Sequence, residues 1–238
     1  MMTRPTLRDP GHLNLCLMLA LTFSTGVIDA VGYLGLDRVF TGNMTGNVVM
    51  LGMALSGTTT LPILRPILAL ALFCVGAIIA GRIVRRHSGD WSGRITTMLA
   101  VVAGVLAAVA VLLVLVDFHA DEIWGSLATA ASALAMGMQA ATARALKVAD
   151  VTTVVVTSTI TGIAADSRLA GGDGKNWPRR FLAIALILVG AGAGALTLLV
   201  HISLGLALSA AITIAVAALG HRRHAAIRAA EGATAPNE

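Results

Sequence analysis

The stretch FLAIALILVGAGAGALTLLVHISLGLALSAAITIAVAAL, Phe181–Leu219, contains no Asp, Glu, Lys or Arg. It is about twice as long as one membrane-spanning helix, which needs about 20 apolar residues. Backbone groups in hydrocarbon must be satisfied inside the segment, so the run reads as two helices with a turn between them. The turn falls at His201, separating Phe181–Val200 from Ser203–Leu219.

Working outward, four more runs have spanning length: Leu13–Leu36, Leu61–Val84, Ile95–Val116 and Ile123–Leu146. The whole chain is 57% hydrophobic and 12% charged, against about 25% charged in a soluble domain. That leaves too little polar surface for a water-soluble globule. The expected fold is an all-α membrane protein whose partner is the lipid bilayer. Arg4 and Arg8 precede the first run as in a signal peptide. The run is longer than an ordinary signal core and no A-x-A site follows, so it is expected to stay as a helix.

Two shorter segments are rich in small polar residues: Thr41–Ser56, TGNMTGNVVMLGMALS, and Val151–Ala165, VTTVVVTSTITGIAA. Loop charge decides how they are placed. If all eight segments crossed, Arg38, Arg82, Arg85, Arg86, Arg94, Arg144 and Lys147 would lie outside, against the positive-inside rule. If only the six long runs cross and the short segments re-enter, just Arg38 and Arg65 of the 17 Lys and Arg lie outside. Both termini are then cytoplasmic, and the acidic stretch Asp117, His119, Asp121, Glu122 is external.

This arrangement makes the chain a tail (1–11), one membrane domain (12–220) and a basic tail (221–238) expected to be poorly ordered. Within the domain the halves 12–117 and 122–220 look alike. GVIDA (Gly26–Ala30) and TGNMTG (Thr41–Gly46) in the first match GMQAA (Gly137–Ala141) and TSTITG (Thr157–Gly162) in the second. Gly76, Ala80 and Gly81 pair in kind with Gly190 and Gly194, at spacings that favour close helix approach. Three crossings per half would make the second half inverted, an arrangement recurrent among transporters.

Asp29 is the one carboxylate well inside a spanning run. Burial at that depth costs roughly 2.5–3.5 kcal/mol on insertion scales, so such a residue marks an ion or substrate path. The alternative is a solvated position near the outer interface. Thr41, Asn43, Thr45 and Asn47 offer side-chain donors and acceptors, and at a half-helix start they would surround the positive dipole end. They serve equally well as a helix entry that satisfies only its own backbone. Thr157, Thr159 and Thr161 form the second polar cluster, with Gln139 placed where Asp29 stands in the first half. If the two short segments converge, Thr45 and Thr161 should lie close together.

Cys16 and Cys74 lie in apolar runs and are expected to be small core residues. Trp91, Trp124 and Trp177 lie near span ends, as in an interfacial belt. No paired His or Cys motif suggests a metal, and no phosphate loop or nucleophile elbow suggests an enzyme or cofactor. The net charge of +5 reads as loop anchors, since no basic patch interleaved with aromatics suggests nucleic acid.

The string GVIDAVGYLGLDRVFTGNMTGNVVMLGMAL, Gly26–Leu55, resembles the signature of the YoaK-like family of bacterial membrane proteins, domain of unknown function 1275. There a G-x-x-D-A run leads into N-M-T-G-N, here Gly26, Asp29 and Ala30, then Asn43 to Asn47. MGMQAATARAL and ADVTTVVVTSTITGIAADS resemble the family's second half more loosely, with Gln139 where Asn is frequent. The resemblance implies a bacterial inner-membrane protein and supplies no activity. The expected function is a secondary transporter or permease for a small polar or anionic solute, with Asp29 as coupling carboxylate. A non-transporting scaffold or partner-binding protein is the alternative, and a homo-oligomer is left open.

Overall fold

The computed structural model describes residues 10–85, 91–116, 122–146, 156–175 and 177–234. Asp117, His119, Asp121, Lys147, Thr152 and Thr153, and part of the Arg82–Arg94 loop, lie outside them. Every regular element among the described residues is helical: α1 (Pro10–Gly35), α2 (Met44–Leu55), α3 (Leu64–Val84), α4 (Gly93–Leu115), α5 (Glu122–Ala145), α6 (Val156–Ala165), α7 (Trp177–Thr197) and α8 (Ile202–Thr234), plus a 3-10 turn at Arg168–Ala170.

α1, α3, α4, α7 and α8 are long and apolar enough to cross a bilayer. Their outward faces carry Val75, Ile78, Val111, Val114, Leu188 and Leu196, all exposed. Such a continuous apolar surface suits lipid and not water. The chain is a multi-pass membrane protein. The sixth expected span, Ile123–Leu146, is the helix α5, which has the length but not the apolarity of the other five. Its interior position accounts for that. Thr129, Ser132, Gln139 and Thr142 are buried beside Ala128, Ala133 and Ala135, so this helix meets protein where the others meet lipid.

α1, α4, α5 and α8 form the centre, with α3 and α7 outside. α7 packs on α1 and α3 on α5; α8 packs on α1 and α4 on α5; α2 lies on α3 and α6 on α7. Glycine sets the closest approaches. A Cβ on Gly190 would strike the Phe23 carbonyl, and one on Gly26 the Ile187 carbonyl. In the other pair, a Cβ on Gly76 would strike the Leu134 carbonyl, and one on Gly137 the Phe73 carbonyl. Of the expected small residues, Gly81 touches nothing.

α2 has 12 residues and the described α6 has 10. At about 1.5 Å per residue α2 does not reach across a hydrocarbon core about 30 Å thick, and the described residues of α6 cover about half of it. α8 departs from expectation at its far end: the helix runs on through His221, Arg222, Arg223 and His224 to Thr234. Arg223 there donates to Asn14 Oδ1 at 3.3 Å, tying the extension to α1. His201 caps α8, its Nδ1 accepting from the Ser203 backbone N–H at 3.2 Å.

Two further expectations are corrected. Cys16 and Cys74 are exposed on outward helix faces, where a small weakly polar thiol is compatible with lipid. Trp91 is not a belt residue. It is buried against Gly220 of α8, and its indole N–H donates to Thr96 Oγ1 at 2.9 Å.

Candidate functional site

The site is built by a reversal at the end of α1. Asp37 and Arg38 both take left-handed backbone conformations, with φ of 62° and 58°. The Arg38 N–H donates back to the Tyr33 carbonyl at 3.1 Å, closing the helix as a Schellman turn does. Val39 to Thr41 then return along α1, close enough that a Cβ on Gly32 would strike the Val39 carbonyl. Val39 and Thr41 are buried there. The return path delivers the start of α2 to Asp29.

Asp29 Oδ1 accepts from the Gly42 N–H at 2.7 Å and from the Asn43 N–H at 3.3 Å. These are unsatisfied donors at the α2 N-terminus. Asn43, the N-cap residue, makes no side-chain cap bond of its own. Asp29 therefore caps α2 from a neighbouring helix, and its charge sits at the positive end of the α2 dipole.

Asn47 has a different task. It is fully buried, its Oδ1 accepts from the Phe40 N–H at 2.9 Å, and its Nδ2 donates to the Phe40 carbonyl at 2.6 Å. The amide thus replaces a strand partner for the returning segment. Thr41 is also enclosed, its hydroxyl without a partner among the described residues. Neither side chain lines the cavity beside Asp29.

That cavity has a volume of about 700 Å³. Asp29, Asn43 and Thr45 line it from α1 and the start of α2, and Val156 and Thr157 from the first described residues of α6. The N-terminal end of α2 and the described start of α6 thus line one space. The residue opposite Thr45 is Thr157 and not Thr161, which is exposed one turn further along α6. Thr159 is half-buried and also off the cavity.

Gln139 lies behind this space. It is fully buried, donates to Thr25 Oγ1 at 3.4 Å and accepts from Thr213 Oγ1 at 3.5 Å. It ties α1, α5 and α8 together, and only Thr25 of this group reaches the cavity wall. The matched strings GVIDA and GMQAA put Ile28 in register with Gln139 and Ala140 with Asp29, one position from the expected pairing. No carboxylate in the second half repeats Asp29.

Tyr33, Phe40 and Thr25 were not singled out from the sequence, yet they line the cavity. The Tyr33 and Phe40 rings stack with centroids 4.9 Å apart. Thr25, Asp29 and Tyr33 are spaced by four along α1, so they share a helix face and could have been found by that spacing.

Comparison with known proteins agrees that this is a membrane protein. Residues 17–219 match the family described as "Protein of unknown function (DUF1275)". The chain is 31% identical over 151 residues to the "UPF0700 transmembrane protein YoaK" of Bacillus subtilis (strain 168), across 63% of this chain. It spans 65% of that protein's length. No solved structure matches. With Asp29 and the Asn43–Asn47 run inside the matched region, the chain belongs to the DUF1275 family of membrane proteins.

Proposed function

We propose that the chain is a secondary transporter or permease for a small polar solute, not an enzyme, and that the cavity beside Asp29 is its solute site. The observation that carries this is one space of about 700 Å³ lined together by the N-terminal end of α2, a helix too short to span, and by α6. Broken or re-entrant helices that converge on a midplane site are how secondary transporters hold solutes.

The same reading includes an inverted repeat of six crossings, with α5 as the sixth. It is supported by the paired packing of α1 on α7 and α3 on α5, with Gly26 and Gly190 answered by Gly137 and Gly76. Both termini then face the cytoplasm of a bacterial inner membrane, because only Arg38 and Arg65 fall outside. Asp29 is the coupling carboxylate.

The test is uptake into vesicles reconstituted with the full chain, after a thermal-shift screen has identified a stabilising solute. Wild-type protein accumulates the solute, and Asp29→Asn, which keeps the volume and removes the charge, does not. Wild-type accumulation in the Asn variant would assign Asp29 to structure alone. A scaffold role has one observation in its favour: Asn47 and one oxygen of Asp29 are spent on the chain's own backbone. A chain that moves no stabilising solute in vesicles would put that role ahead.

A further inference from the structure

We infer that the cavity beside Asp29 takes an organic cation, a substituted ammonium group, in place of an anion. This rests on the reading of that cavity as the solute site and names the solute's chemistry. A helix N-terminus favours anions, but that of α2 is already occupied by the Asp29 carboxylate, through the Gly42 and Asn43 N–H groups. Among the described residues, no Lys, Arg or His lines the space. The one charge that the described residues turn toward a bound solute is therefore negative, and a second anion beside it would be repelled at low dielectric.

The rest of the wall narrows the class. The stacked pair Tyr33 and Phe40 stands on the same space, and Tyr33 sits one helical turn beyond Asp29 on the same face of α1. Phe40 is held by Gly46, where a Cβ would strike its ring. A carboxylate beside aromatic rings is the combination that binds alkylammonium groups, by charge on one side and by the ring quadrupole on the other. Val49 and Ile187 add apolar surface suited to alkyl substituents. A bare metal ion would need several converging oxygens in a far smaller space.

The experiment uses the full-length purified chain with three probes: choline, its uncharged isostere with carbon in place of nitrogen, and acetate. Thermal unfolding and titration calorimetry are read at low ionic strength. Choline raises the unfolding midpoint saturably at millimolar concentration, and the isostere and acetate do not. Tyr33→Leu, which leaves the α2 cap intact, weakens choline binding by roughly three- to tenfold. Asp29→Asn abolishes it. Equal effects of choline and its isostere, stabilisation by acetate alone, or no response to choline would each overturn the inference. So would a choline response unchanged in both variants. In reconstituted vesicles, choline that binds without crossing would overturn the permease reading and leave the cation site. Uptake of a neutral or anionic solute that choline does not inhibit would do the reverse.

Discussion

A carboxylate that caps a helix from outside can be altered so that charge and hydrogen bonding separate. Asp29→Asn keeps an oxygen at the Gly42 and Asn43 N–H groups. Its unfolding free energy in detergent should therefore stay within about 1 kcal/mol of wild type. Asp29→Ala leaves both donors without a partner and should cost about 1–3 kcal/mol more. Equal stability of the two variants would remove the capping role. The two asparagines of α2 should behave oppositely. Asn47→Leu frees both backbone groups of half-buried Phe40 and should destabilise by about 1–3 kcal/mol. Asn43→Ala removes no cap bond and should be near neutral in the same assay. The sequence marked all these residues as polar and out of place in an apolar chain. It could not divide them, because whether an amide meets a ligand or its own backbone depends on the path of the chain after Asp37.

Helix contacts without intervening side chains make sharp predictions at neighbouring positions. On α7, Gly190 faces the Phe23 carbonyl and Gly192 faces open space. Gly190→Ala forces apart two backbones that have no flexible atom to give, and should cost about 1–3 kcal/mol. Gly192→Ala should gain about 0.5–1 kcal/mol from helix propensity. Thermal unfolding of the two variants side by side checks this, and a loss at Gly192 as large as at Gly190 would remove the contact as the cause. On α2 the useful control for bulk at Gly46 is Gly52, which touches nothing. Gly57 is unsuitable because its φ of 71° would strain any replacement. Gly46→Leu should displace Phe40 and lose solute-dependent stabilisation, with Gly52→Leu retaining it. The small-residue spacing of α3 and α7 was legible in the sequence, since close approach demands it. The convergence on Thr157 and not Thr161 was not, because it depends on how α6 lies on α7.

For the whole molecule, the orientation proposed from loop charge can be measured directly. A cysteine introduced at Ser88 should resist membrane-impermeant thiol reagents applied to intact cells and react after the inner membrane is opened. Because Cys16 and Cys74 are exposed on helix faces, the background needs both replaced by Ala. Labelling of Ser88→Cys from outside would reverse the six-crossing orientation. The membrane class was the most legible property, because a bilayer imposes long uninterrupted apolar runs and five helices satisfy that demand. α5 shows the limit: a helix wrapped by others escapes the lipid constraint, and its Ser, Thr and Gln lower the signal that marks a span.

The length of α8 has a practical consequence. Its 33 residues rise about 50 Å, well beyond a hydrocarbon core of about 30 Å. The excess is a continuous rod, tied to the bundle by the bond between Arg223 and Asn14. A particle of 24.3 kDa, most of it hidden in a micelle, offers little for image alignment. A globular module fused in helical phase after Thr234 would move with the bundle and not swing on a tether. The chain thus carries its own mounting post for a fiducial.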